Sequence, residues 1–243
     1  MLDFSRVHFY RDPSIDIGRV IAGVSEIFPE CRMDARELDV MLAEQARVSD
    51  INQPFHLQPK VQQDFDLYGR SVKLYDGFEL QRVFAQSIPE QENSLDHLHV
   101  IFTGLLACTY SEDDWCYHAR TVVCGTPSII SLPGIVEAPA KPREFYVGLN
   151  FGLDAKSAKK SVAGRFLDYG DYRIVDAASS FALQAMFFFL TEGEPFCDDN
   201  ACRLLNAHWQ EDLIRTLESL GICQRHREIA DKFNRRLAGM KST

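Results

Sequence analysis

The chain has 243 residues, a formal net charge of −9, 46% hydrophobic residues and 25% charged ones. That length allows one large core or two small ones, and the composition is that of an ordinary globular protein. No dense Lys/Arg cluster marks a nucleic-acid face, and the longest apolar run, around Phe187 to Leu190, is far too short for a bilayer, so neither nucleic acid nor membrane is an expected partner.

Residues 6–11 alternate in polarity and predict a strand. Asp12 and Pro13 read as an N-cap and a first-turn proline, opening a helix with Ile17, Val20, Ile21, Val24 and Phe28 near helical spacing. A second strand over 31–36 and a second amphipathic helix over 37–48 complete a βαβα opening, which favours strands covered by helices. Residues 50–66, rich in Gln, Pro and Asp, read as an excursion. A strand over 71–75, a helix over 77–88 and a strong strand over 98–102 follow. The turn-like stretch 110–115 separates two strands at 105–109 and 117–124. Two more are predicted over 128–136 and 143–151, divided by Pro139 and Pro142. From Asp154 onward helices dominate, at 154–167, 177–191, 206–220 and 225–238. The whole reads as one α/β domain over residues 1–243, a mixed sheet covered by helices, with 177–243 as a helical subregion.

Seven cysteines behind a start that lacks a charged-then-apolar leader point to a reducing, cytoplasmic compartment, where thiols stay free or bind metal. Cys197 and Cys202 are separated by four residues, and Cys223 and His226 by two, with twenty residues between the pairs. Three thiolates and an imidazole form a regular tetrahedral zinc set, and four protein ligands leave no open position, so such a site is structural. The helix at 206–220 can return the chain to its start, and Gly221 stands where a helix C-cap belongs. The plain alternative is a set of unrelated buried thiols. Cys31, Cys108, Cys116 and Cys124 lie in or beside strands and are expected in the core or half-buried.

This arrangement resembles the archaemetzincins, zinc metallopeptidases whose helix motif H-E-x-x-H-x-x-G-x-x-H runs directly into C-x4-C, with C-x2-C about twenty residues later. Cys197, Cys202 and Cys223 match three of those cysteines, His226 stands for the fourth, and Gly193 falls on the motif glycine. The catalytic positions depart from the pattern. Met186 and Leu190 stand at the first two histidines, Phe187 at the glutamate and Phe196 at the third histidine. The motif resemblance covers residues 186–226. It implies a zincin-like fold, a retained zinc knot and a lost catalytic zinc, because these side chains supply neither a metal ligand nor a general base. The run Phe187-Phe188-Phe189-Leu190 is apolar around the whole helix, which also suits a core helix of other ancestry.

A second set of residues could carry chemistry. His97 and His99 share one face of their strand, His118 lies on another strand and Glu137 follows a third, so the four could form a metal or acid/base cluster. The simpler expectation is a half-exposed strand, with Leu98 and Val100 inward and the histidines in solvent. The proline-bearing segment 134–146, with Glu137, Lys141, Arg143 and Glu144, suits either a rigid binding loop or ordinary exposed charges. His208 reads as a helix-surface or capping contact. No phosphate loop, nucleophile elbow or dinucleotide fingerprint is present.

Three readings follow. The first is a non-catalytic archaemetzincin-like protein with structural zinc and a peptide or protein ligand. The second is an active hydrolase rebuilt around His97, His99, His118 and Glu137. The third is a zinc-stabilised scaffold unrelated to peptidases.

Overall fold

The computed structural model describes residues 4–38, 40–48 and 73–241. The chain opens with β1 (Arg6–Arg11), α1 (Ile17–Ser25), β2 (Arg32–Glu37) and a 3-10 helix (Val40–Ala46). Next come β3 (Leu74–Asp76), α2 (Gly77–Ala85), a short 3-10 turn (Glu90–Glu92) and β4 (His97–Thr103). β5 (Leu106–Ser111), β6 (Cys116–Ala119), β7 (Val122–Val123) and β8 (Ser128–Ser131) complete the strands. Six helices follow: α3 (Leu132–Glu137), α4 (Arg143–Asn150), α5 (Ala155–Ser161), α6 (Ile174–Leu190), α7 (Gln210–Ser219) and α8 (Gln224–Met240).

The larger sheet has the order β2-β1-β4-β8-β7, and the smaller β3-β5-β6. In the larger sheet β2, β1, β4 and β8 run parallel and β7 pairs antiparallel with β8. Parallel strands need both faces covered, and β4 is buried at every position. Alternation then sorts its two faces. Val7, Phe9, Leu98, Val100 and Phe102 belong to the main core with α1 and α6, which contribute Val20, Val24, Ala182 and Met186. Tyr10, Ile101 and Ile129 point the other way, to Leu80 and Phe84 of α2 and Tyr75 of β3.

Helix α6 lies inside the protein, with Met186, Phe187 and Leu190 all buried. A helix apolar on all sides has no solvent face to offer, so other elements must surround it. Small residues let α1 approach: a Cβ on Gly23 would stand 2.6 Å from Ser179 Oγ of α6. None of the described helices is long and apolar enough to cross a membrane.

Several local expectations are corrected. The first helix is N-capped by Asp16, whose carboxylate accepts from Arg19 N at 3.2 Å. Asp12 instead holds the Ser14 turn and accepts from Gly104 N at 2.7 Å, fastening the end of β4. The second helix is a 3-10 helix that starts at Val40. Residues 128–136 are strand only to Ser131, whose hydroxyl accepts from Gly134 N at 3.0 Å and caps α3. Residues 143–151 fold as a helix because Phe145 and Leu149, one turn apart, meet Ala158, Val162 and Phe166. The end of α7 is turned by Leu220 (φ 47°) and not by Gly221. The excursion at 50–66 lies outside the described residues, as do 71 and 72 of the strand expected over 71–75.

Candidate metal centre

Between α6 and α7 the chain curls back on itself. Cys197 N donates to Leu204 O at 2.8 Å, Cys202 N to Asp199 O at 3.0 Å and Leu205 N to Cys202 O at 3.0 Å. Arg203 N donates to Gly221 O at 2.9 Å, which ties this loop to the turn after α7. Cys223 is the N-cap residue of α8, and His226 sits in its first turn. These connections bring all four candidate ligands together.

Their ligand atoms all lie within 4.8 Å of one another. Cys197 Sγ is 3.7 Å from Cys223 Sγ, and His226 Nδ1 is 3.1 Å from Cys223 Sγ and 3.8 Å from Cys202 Sγ. Zinc with bonds of about 2.3 Å to sulfur and 2.0–2.1 Å to nitrogen separates tetrahedral ligands by roughly 3.5–3.8 Å. All seven cysteines are free, and a disulfide would need sulfurs about 2.05 Å apart. Backbone amides complete the fit, with Asp199 N on Cys197 Sγ and Cys223 N on Cys202 Sγ, both at 3.4 Å.

Burial pushes the Cys202 thiol up to about 12 and raises that of Cys197, so several thiolates here require a nearby cation. Burial also lowers His226, leaving a neutral imidazole whose Nδ1 lone pair can face the sulfurs. Its Nε2 has no hydrogen-bond partner among the described residues, and its ring stands at 85° to Phe187. Three thiolates, one imidazole and a divalent ion sum to −1. Buried Arg203, which donates to Ser179 and Ser180 and feels the charge of Cys202, opposes that excess.

Directly upstream, Met186 and Phe187 are 0% exposed and Leu190 3%. Phe187 packs between Phe28, with ring centroids 5.3 Å apart, and the His226 ring at 5.1 Å. Phe196 is partly exposed. Gly193 (φ 103°) reverses the chain after α6, its N–H returning to Phe188 O at 2.9 Å. This is the turn that joins the apolar helix to the cysteine loop.

The other candidates do not assemble as a set. His118 stands on the smaller sheet, paired with Asp114 at 2.8 Å. Glu137 ends α3 and pairs with Lys141 at 3.3 Å, both out of solvent, so this segment carries an internal ion pair. His97 and His99 are not in solvent; they are 8% and 1% exposed, because α2 and the turn before β4 cover that face. They meet His8 instead, which no local pattern marked: its Nε2 lies 2.7 Å from His97 Nδ1 and its Nδ1 2.8 Å from Asp34. Desolvation pushes His99 down to about 4. Its Nε2 then donates to Glu92 O at 3.1 Å, and Tyr10 donates to its Nδ1. His208 is exposed, and its carbonyl accepts from Ala140 N.

The model of a family described as "Probable metallopeptidase family" matches residues 3–233. The chain belongs to that family. No curated protein and no solved structure matches it. Because the family model spans nearly the whole chain, the reading as a scaffold unrelated to peptidases falls away. Cys197, Cys202, Cys223 and His226 are a group that could hold a metal ion, with a donor set of the kind zinc takes.

Proposed function

We propose that this chain is a non-catalytic, archaemetzincin-like member of its metallopeptidase family. Zinc held by Cys197, Cys202, Cys223 and His226 fastens the C-terminal helices, and a peptide or protein is held and not cut. The observation that carries the reading is the burial of Phe187, at the position of the motif glutamate, between Phe28 and the imidazole of the cysteine cluster. A working site of this type needs two histidines one helical turn apart and a carboxylate that activates the metal-bound water. Met186 and Leu190 occupy that turn here. The sharp reversal at Gly193 and the cysteines directly after it support the kinship.

Four protein ligands saturate tetrahedral zinc, so the metal would stabilise the fold and have no position for substrate. Around it, the chain's own groups do the rest. Two backbone amides hold sulfurs, Arg203 offsets charge, and Phe187 keeps water from the imidazole. Elemental analysis with a peptide-library digest tests the reading. The expected result is thiolate-bound zinc, absent from Cys202→Ser, and no cleavage above background. Cleavage that a chelator abolishes would overturn it.

A further inference from the structure

The opposite face of the larger sheet gathers a second group of metal-type donors. The parallel register sets His8 beside both Asp34 and His99, and Arg6 beside His97, so alternate side chains of three strands emerge together. The turn Glu90–Glu92 then lays Glu92 across them. One ligand atom each from His8, Glu92 and His97 lies within 4.8 Å of the others. This face is the one remote from the cysteine cluster, whose Cys197 and Cys202 belong to the main core with Val7 and Leu98.

We propose that His8, His97 and Glu92 bind a second divalent metal ion, of the borderline class that imidazole and carboxylate share, such as zinc or cobalt. The surroundings are arranged for it. A ligating histidine normally donates its other ring N–H to a carboxylate, and His8 Nδ1 does this to Asp34 at 2.8 Å. That bond leaves the His8 Nε2 lone pair aimed at His97 Nδ1, 2.7 Å away. With the His97 proton on Nε2, which has Asp96 at 3.9 Å, both facing nitrogens offer lone pairs. The two nitrogens then part to roughly 3.3 Å around a metal with bonds of about 2.0–2.1 Å.

Charge argues the same way. Arg36 bridges two carboxylates, Glu92 (Nη2 to Oε1, 3.0 Å, with a second contact through Nη1) and Asp34 (Nε to Oδ1, 3.1 Å). Two carboxylates thus share the one guanidinium of Arg36 beside the buried imidazoles of His8 and His97, a surplus of acceptors over cations in these contacts. A divalent ion answers it, and two imidazoles with one carboxylate leave at least one coordination position for water or an exogenous group.

The test is titration of the full chain, as purified, with Co2+, followed by optical spectra and by 15N-detected histidine ring resonances. We expect one added equivalent without new thiolate-to-cobalt charge transfer, and paramagnetic loss of the His8 and His97 signals while His118 persists. Glu92→Gln, at the rim of the cluster, should weaken that equivalent by about tenfold or more. His8 and His97 signals unchanged at saturation would overturn the proposal, as would full affinity in Glu92→Gln. The optical bands report the cysteine cluster separately, so its failure and the failure of this site are distinguishable.

Discussion

Replacing Phe187 tests whether the helix end is sealed core or an open cleft. Its ring is wholly buried, with Phe28 on one side at 53° and His226 on the other at 85°. Phe187→Ala removes that ring from a packed interior, which costs about 3–5 kcal/mol, the aromatic contacts being part of it. At about 2–4 °C per kcal/mol for a chain of this size, the thermal midpoint should fall by roughly 6–20 °C. Phe187→Glu should be worse, since it strands a carboxylate among Phe28, Met186 and Leu190 with no partner. Calorimetric melts of the three proteins at equal zinc loading measure both effects. If Phe187→Glu melts within about 1 kcal/mol of the parent, the position faces water and the argument for a sealed former active site fails.

Three further outcomes follow from named contacts. Lys141→Ala should cost about 3–5 kcal/mol by leaving the Glu137 carboxylate buried and unpaired, whereas Lys141→Met with Glu137→Leu should cost much less; urea unfolding of both tests this. Gly134→Ala should destabilise by about 3 kcal/mol or more, because its Cβ would stand 2.0 Å from Arg120 O, and a melt close to the parent would refute that packing. Burial pushes the Cys31 and Cys124 thiols up to about 12 from an ordinary 9. Their folded values are raised, so the stability they contribute is complete below pH 9 and lost as pH rises from 9 towards 12. Alkylation of both at pH 8, read by mass spectrometry, should be far slower in the folded protein than in urea.

What the sequence determined by itself was local. Alternation placed β1, periodicity placed α2, and four apolar residues in a row announced a helix with no solvent face. The cysteine spacings named a zinc-type donor set because each half is a short loop whose reach depends on only a few bonds. Local evidence misled where a short apolar run suits either a strand or a helix. The apolar run Phe145-Tyr146-Val147 reads as a short strand, and the packing of Phe145 and Leu149 on α5 decides for helix. Pairing between distant strands was beyond any local signal. Nothing near Arg6–Arg11 says that β1 lies between β2 and β4, yet that register turns His8 into the partner of His97 and Asp34 and sends His118 to another sheet. A one-residue slip along β1 would point His8 into the apolar core. The strand period is a property of the chain, but which strands share an edge is settled by burial of both faces of the sheet at once.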